Sequence, residues 1–177
     1  IEFTQEDELA HVKKMLDIAE KYGKKVSMLV DDAGDPTLKT LEMLATETIK
    51  RGMQGRVLAQ HARAMQLYPT PYFQKLSALL KKAEIGIVSD PQTGPLHARV
   101  EELLAEGNTV CLGQDDISDA YYPYGRNNML EVAFLASHLL WMTSAKKMEN
   151  LYDMVTTNAA KAMGVENFGL KVGNPAP

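Results

Sequence analysis

The sequence predicts an α/β fold in which parallel strands alternate with helices. Short apolar runs of strand length are each followed by a stretch whose apolar residues recur at the three- and four-residue spacing of an amphipathic helix. Four such units follow one another with short connections, which is typical of a parallel sheet with helical crossovers. Doubly wound sheets and eight-stranded barrels both fit this pattern. No glycine-rich phosphate turn follows any strand, which weakens the nucleotide-binding version.

An opening helix precedes the four strand–helix units. It is predicted over residues 6–22, because its apolar residues form one stripe and Gly23 suits the position after a helix end. Strands are predicted at residues 25–30, 56–60, 84–88 and 109–112. Further helices are predicted at residues 36–51, 72–82, 97–105, 129–142 and 146–163. Pro36 suits the first turn of the second helix, and Asp35 is its predicted N-cap.

The composition limits the classes of partner. The 177 residues, 45% of them hydrophobic, suffice for one domain with a core. The formal net charge of −4 and the lack of a basic stripe argue against nucleic acid. No apolar run approaches the ~20 residues that span a membrane, so we expect no membrane partner and a cytoplasmic protein. Cys111, the single cysteine, lies in an apolar run and is interpreted as a core residue.

Polar residues follow each predicted strand. Because the carboxyl ends of parallel strands meet at one edge of a sheet, we expect these residues to converge, and loops at that edge of α/β barrels bind substrates. The clusters are Asp31/Asp32, His61, Ser89/Asp90 and Asp115/Asp116.

The paired carboxylates of Asp115 and Asp116 are the strongest candidates for chemistry. Two like charges side by side are costly unless a metal, a proton or a cationic substrate group offsets them. Asp115 is interpreted as a metal ligand or as the base that takes a proton from metal-bound water. Asp116 is interpreted as a hydrogen-bond partner of a substrate amine or as a residue that orients its neighbour. The structural alternative is that either aspartate caps the next turn.

Three other positions carry weaker predictions. His61 would orient or polarise a water or a substrate carbonyl, although a histidine at a strand end is often a hydrogen-bonded core residue. Asp31 and Asp32 would act as ligand, acid/base or substrate-amide partner, or else form an Asx turn. Tyr121 and its neighbouring tyrosines would stack on a flat ring, or only pack the loop.

Several segments, in order along the chain, resemble the cytosine deaminase-like branch of the amidohydrolase superfamily and the similar N-isopropylammelide amidohydrolases. They are residues 55–65, residues 111–125, residues 128–132 and the Phe-Gly-x-x-x-Gly-Asn pattern at residues 168–174. The resemblance implies a metal-dependent (β/α)8 barrel, of which this chain would supply strands 5–8, the C-terminal half. It implies hydrolysis of a C–N bond in a pyrimidine- or triazine-like heterocycle, with zinc or iron as the divalent metal.

Carried over by residue, the resemblance assigns metal binding and proton transfer to Asp115. It places His61 beside the metal-bound water and the substrate, Asp116 on the substrate side, and Tyr121 over the ring. Two positions depart from the family pattern. Leu29 stands where a metal-binding histidine is expected, and Asp32 replaces the proton-shuttling glutamate. The His-x-His pair of the first barrel strand is absent from this chain.

These departures leave three hypotheses open. The first is a metal-dependent deaminase in which Asp32 protonates the ring. The second is an inactive relative that binds a heterocycle or a partner without metal, as Leu29 suggests. The third is a metal-independent hydrolase that works from Asp31, Asp32 and His61.

The chain opens with Ile-Glu-Phe and closes on Gly-Asn-Pro-Ala-Pro. We therefore expect residues 1–177 to form a single segment of a longer protein. The remainder of the barrel, or a second copy of the chain, would then cover the open sheet edges.

Overall fold

The computed structural model describes residues 7–174, in which four parallel strands alternate with helices. The strands are β1 (Val26–Val30), β2 (Val57–His61), β3 (Gly86–Ser89) and β4 (Val110–Leu112). The helices are α1 (Glu8–Lys21), α2 (Thr40–Lys50), α3 (Thr70–Ala83), α4 (Val100–Ala105), α5 (Met129–Leu139), α6 (Ala145–Val155) and α7 (Thr157–Met163). Two 3₁₀ turns, Arg63–Leu67 and Pro91–Thr93, follow β2 and β3. The predicted α/β fold class is confirmed.

The sheet order β1-β2-β3-β4 follows the chain order. In the register, Val30 pairs with His61 and Ser89 pairs with Leu112, so all four carboxyl ends lie at the same edge. Parallel strands in chain order, joined by helical crossovers, are the arrangement of an α/β barrel wall.

The two faces of the sheet differ in burial. On β1, Val26, Met28 and Val30 belong to the hydrophobic core, whereas the alternate residues Ser27 and Leu29 are exposed. This alternation follows from the two-residue period of a strand, which sends successive side chains to opposite faces. Leu29 is 50% exposed, which is unusual for leucine inside a parallel sheet, where both faces are normally covered.

Helix α1 packs through the stripe that its sequence predicts. Val12, Leu16 and Ala19 are buried in the core. The helix begins at Glu8, with Asp7 as N-cap accepting a hydrogen bond from the Ala10 N–H at 3.1 Å. The predicted start at residue 6 lies outside the described residues.

The predicted start of the second helix is wrong. Helix α2 begins at Thr40, and Asp35 accepts 2.8 and 2.7 Å bonds from the backbone N–H and hydroxyl of Thr37. Residues 36–39 are therefore not helical, and a turn lies at residues 36–37. The acceptor at the helix start is instead Asp31, whose carboxylate accepts the N–H of Thr40 at 2.9 Å and that of Leu41 at 3.4 Å. A helix starts where an acceptor meets its first unpaired N–H groups.

Other boundaries shift by a few residues. Helix α4 begins at Val100 instead of residue 97, and α5 ends at Leu139 instead of residue 142. The long helix predicted over residues 146–163 is two helices, because Thr156 adopts φ −129° and ψ −92° between them. Among the described helices, none has the length and apolar character needed to traverse a lipid bilayer.

Candidate active site

Five polar side chains form a group at the carboxyl edge of the sheet, which we call the strand-end cluster. Asp32 follows β1, His61 ends β2, Arg63 opens the turn after β2, and Asp90 and Asp115 lie beyond β3 and β4. One nitrogen of His61 and one carboxylate oxygen each of Asp90 and Asp115 lie within 4.8 Å of one another. The sequence-predicted His61 and Asp115 are therefore neighbours, although 54 positions separate them in the chain.

The closest pair in the cluster is His61 and Asp90. Their side chains are 6–7% exposed, and His61 Nδ1 lies 2.8 Å from Asp90 Oδ2 and 3.7 Å from Asp32 Oδ1. Burial alone would lower the pKa of His61, but the contact with Asp90, helped by the charge of Asp32, outweighs it and raises that pKa. Burial would likewise raise the pKa of Asp90, but hydrogen bonding to His61 and to Thr93 lowers it.

Arg63 joins the carboxylates of the cluster. Its Nη1 lies 3.0 Å from Asp32 Oδ1, and its Nη2 lies 3.3 Å from Asp90 Oδ2. The same Nη2 donates to the hydroxyl of Thr93, which itself donates to Asp90 Oδ2 at 2.6 Å. Thr93 and Arg63 thus both donate to Asp90 Oδ2, and these two contacts fix the orientation of the carboxylate.

The backbone at the strand ends is unusual. His61, Ala62 and Asp115 have φ values of +66°, +52° and +63°, and Asp31 has +49°. Residues other than glycine adopt this left-handed region infrequently and at an energetic cost, and such residues concentrate at functional sites. The surrounding contacts must hold these turns in place.

Asp115 is positioned by hydrogen bonds between the loops that follow β3 and β4. The Gln92 amide nitrogen donates to the carbonyl oxygens of Gly113 at 2.9 Å and Gln114 at 3.0 Å, immediately before Asp115. Partial desolvation raises the pKa of the Asp115 carboxyl, and the negative charge of Asp90 adds to this increase. A carboxyl with a raised pKa is suited to exchanging protons.

The loop after Asp115 carries the predicted substrate-side residues. Asp116 is half-buried, and desolvation together with the charge of Asp115 raises its pKa. Asp119 accepts the backbone N–H groups of Tyr121 and Tyr122 at 2.9 and 2.8 Å, which shapes the loop. The Tyr121 ring is 73% exposed, so its stacking on a substrate stays a prediction.

Asp31 holds a structural position. It is 1% exposed, and besides accepting the first N–H groups of α2 it accepts the Tyr68 hydroxyl at 2.7 Å. The contacts of Asp31 with α2, nine and ten positions along the chain, are not those of the Asx turn at Pro36 that the sequence suggested as the structural alternative. Its predicted contact with substrate stays a prediction.

Sequence reasoning did not assign Arg63, Asp90 or Thr93 to the site. Asp90 belongs to the polar residues that follow strands, and Arg63 is the charged residue two positions after His61. Neither signal indicates that Arg63 contacts Asp32 and Asp90, or that Asp90 contacts His61.

The strand-end cluster offers the types of ligand atom that a divalent metal binds. Imidazole nitrogen and carboxylate oxygen are ligands of catalytic zinc, at about 2.0–2.2 Å from the ion, so two ligands of one ion lie at most about 4.4 Å apart. The 4.8 Å limit observed for the three side chains is close to this value. Asp90 Oδ2 already contacts His61, Arg63 and Thr93, which leaves Asp115 as the carboxylate free to bind metal.

The fold and the cluster together define a class: an α/β-barrel type of protein with a polar site at the carboxyl ends of its strands, where enzymes of this architecture perform chemistry. The chain belongs to the amidohydrolase family, whose sequence profile matches residues 2–176. The resemblance predicted from sequence is confirmed.

The solved structures of two enzymes are similar to this chain. A 5-methylcytosine deaminase from Klebsiella pneumoniae, liganded with 5-fluorocytosine, is 34% identical with a TM-score of 0.88, over 95% of this chain and 44% of that chain. An N-isopropylammelide isopropylaminohydrolase from Burkholderia multivorans is 26% identical with a TM-score of 0.91, over 96% of this chain and 44% of that chain. The four-stranded sheet therefore corresponds to part of the barrel of these enzymes.

A curated relative gives the same assignment. The N-isopropylammelide isopropyl amidohydrolase of Pseudomonas sp. strain ADP is 26% identical over 160 residues, which are 90% of this chain and 40% of the relative. The chain thus spans about two fifths of the length of the relatives it matches.

Proposed function

We propose that this chain forms part of a hydrolase that removes an amino or alkylamino group from a pyrimidine- or triazine-like ring. The observation that carries the proposal is the convergence of His61, Asp90 and Asp115 at the carboxyl edge of the sheet. Membership of the amidohydrolase family and similarity to enzymes named for cytosine and ammelide substrates support this reaction class.

Asp115 would hold the divalent metal, zinc or iron, together with ligands from outside the described residues. Such a metal, when bound, would supply a water whose pKa is lowered to about 7. The charge of this ion would offset the carboxylates that surround Asp115, whose pKa is raised mainly by desolvation and further by the charges of Asp90 and Asp32.

The residues of the chain have separate roles in the proposed reaction. Asp115 accepts a proton from the attacking water and passes it to the departing nitrogen, as the C–O bond forms and the C–N bond breaks. His61 polarises the reacting group. Asp32 protonates a ring nitrogen and recovers its proton from the new hydroxyl group, so the two protons of the water end on the departing amine and on the ring. Asp116 accepts a hydrogen bond from the substrate amine, Tyr121 covers the ring, and Asp31 supports this side of the pocket through α2.

A second candidate function is a heterocycle-binding protein without metal chemistry. The observation that favours it is Leu29, an apolar residue where the family pattern has a metal-binding histidine. Leu29 lies on the exposed face of β1 and offers no ligand atom.

The test uses the full-length protein, purified and reconstituted with zinc or iron. Metal content is measured together with ammonia or amine release from cytosine, 5-methylcytosine and N-isopropylammelide. We expect Asp115→Asn to lower kcat at least about 100-fold, the usual contribution of a proton-transferring group. Asp35→Asn, an exposed aspartate in the turn before α2, is the matched control and should keep the wild-type rate.

Two outcomes would contradict the proposal. Wild-type activity in a folded Asp115→Asn variant would exclude the assigned proton transfer. A wild-type protein that retains no metal and releases no amine, but gains metal when Leu29→His restores the ligand, would favour the binding protein.

A further inference from the structure

The His61 imidazole contacts the carboxylate of Asp90, which has no role in the proposed reaction. Nδ1 of His61 is buried from water, and Asp90 Oδ2, at 2.8 Å, is nearer to it than Asp32 Oδ1, at 3.7 Å. The contact is short but bent, since the direction of an Nδ1–H bond departs from the line to the oxygen. Catalytic hydrogen bonds are often poorly aligned before substrate binds.

Asp90 is itself immobilised as an acceptor. The Thr93 hydroxyl donates to its Oδ2 at 2.6 Å, and Arg63 Nη2 donates to the same oxygen at 3.3 Å. Arg63 is in turn fixed by Asp32, 3.0 Å from its Nη1. The oxygen that these donors hold is the one that faces His61 Nδ1, and an ionised carboxylate has no proton to donate, so Asp90 can only accept there.

The imidazole ring has two nitrogens. An ionised carboxylate only accepts hydrogen bonds, so the nitrogen that it faces, here Nδ1, must be the one that carries a proton. A neutral His61 must therefore carry its proton on Nδ1, which leaves Nε2 unprotonated. An unprotonated Nε2 can accept a proton from water or substrate, and once protonated it can donate to a substrate oxygen or nitrogen. A free imidazole prefers the opposite tautomer, so Asp90 determines which nitrogen does chemistry.

We propose that Asp90 is a positioning residue that holds His61 with its proton on Nδ1, with Thr93 and Arg63 fixing the Asp90 carboxylate. This inference rests on the proposed function for its effect on the reaction rate, but its structural content stands without any activity. It extends the site to three residues that sequence reasoning did not assign.

The test measures the tautomer directly. Full-length protein labelled with [¹⁵N]histidine is studied by NMR at a pH where the imidazole is neutral, and the His61 signals are those lost in His61→Gln. We expect the chemical shifts of a protonated Nδ1 and an unprotonated Nε2 in the wild type. The opposite pattern in the wild type would overturn the proposal without any further variant.

Two variants separate the acceptor from the charge. Asp90→Ala removes the acceptor, so we expect His61 to move toward the Nε2–H tautomer and kcat to fall about 10- to 100-fold, a typical cost of losing an orienting partner. In Asp90→Asn, the donors Thr93 and Arg63 should keep the amide oxygen at the Oδ2 position, so the tautomer and most of kcat should be retained. The KM should change less than kcat in both.

The outcomes distinguish this inference from the proposed function. If no heterocycle is turned over, the NMR pattern still supports or overturns the role of Asp90. If deamination occurs and folded Asp90→Ala keeps both the tautomer and the rate, Asp90 is only structural and the inference is wrong. If Asp90→Ala does not fold, the wild-type and Asp90→Asn spectra decide.

Discussion

Replacing Asp31 by alanine tests the capping role that the structure gives to this buried carboxylate. The substitution removes the acceptor of the first α2 N–H groups, which contact it at 2.9 and 3.4 Å, and of the Tyr68 hydroxyl at 2.7 Å. Loss of a helix cap costs about 1 kcal/mol. Loss of a hydrogen bond to a charged group costs about 1.5–3 kcal/mol. We therefore expect the free energy of unfolding to fall by about 3 kcal/mol.

The measurement is urea denaturation of the full-length protein, followed by circular dichroism, with the free energy taken from the midpoint and slope. Tyr68→Phe should reproduce part of the loss, because it removes the hydroxyl that donates to Asp31 at 2.7 Å. The double variant should then be less destabilised than the sum of the two single variants, since they share one hydrogen bond.

The control is Asp35→Ala, which removes the aspartate that sequence reasoning chose as the cap. Its hydrogen bonds go only to the exposed Thr37, so we expect a loss below about 1 kcal/mol. Equal losses at the two positions would refute the capping argument. Wild-type stability in Asp31→Ala combined with a raised KM would instead indicate that Asp31 contacts substrate.

Two further predictions follow from buried titrating groups. Burial raises the pKa of the Cys111 thiol to about 11. Alkylation of this thiol at pH 8, measured by mass spectrometry of the peptide that contains it, should therefore be about 100-fold slower in the native than in the unfolded protein. Similar rates in the two states would show that the thiol is accessible in the native protein. The His61–Asp90 pair should stabilise the fold most between the pKa of the free groups, 3.8 for Asp and 6.5 for His. Because the folded pKa of His61 is raised, its contribution is complete below pH 6.5 and disappears as the pH rises through the folded value; because that of Asp90 is lowered, its contribution disappears as the pH falls through the folded value. The stability difference between the wild type and Asp90→Asn, measured by urea denaturation from pH 3 to 9, should therefore decline at both ends, and a difference independent of pH would contradict the pairing.

The fold was predictable from sequence because the strands and helices have local patterns of apolar and polar residues. The run at residues 110–112 is apolar because it is buried, and Val12, Leu16 and Ala19 form a stripe because one side of α1 meets the core. The convergence of His61 and Asp115 was predictable for the same reason, since parallel strands bring their carboxyl ends to one edge.

What sequence could not predict depends on contacts between distant segments. The start of α2 is set by Asp31, nine positions before Thr40, and a local preference for aspartate before proline pointed to Asp35 instead. The pairing of Asp90 with His61 depends on the register of β3 against β2 and on the turn that brings Thr93 back to Asp90. None of these distances has a local signal in the chain.

The charges of the strand-end cluster bear on the choice between enzyme and binding protein. Asp32, Asp90 and Asp115 supply three carboxylates, and Arg63 offsets one while already contacting two of them. Protonation of His61 could offset a second, which leaves the exposed Asp115 carboxylate without a cationic contact among the residues that the structure describes. Neighbouring like charges are tolerated when a metal, a proton or a cationic ligand group completes the site. The pKa of Asp115 is raised mainly by desolvation; the charges of Asp90 and Asp32 also raise it, whereas those of His61 and Arg63 lower it. A divalent ion would offset the carboxylates of the cluster, whereas a neutral heterocycle alone would not, and this difference supports the metal-dependent hydrolase proposed above.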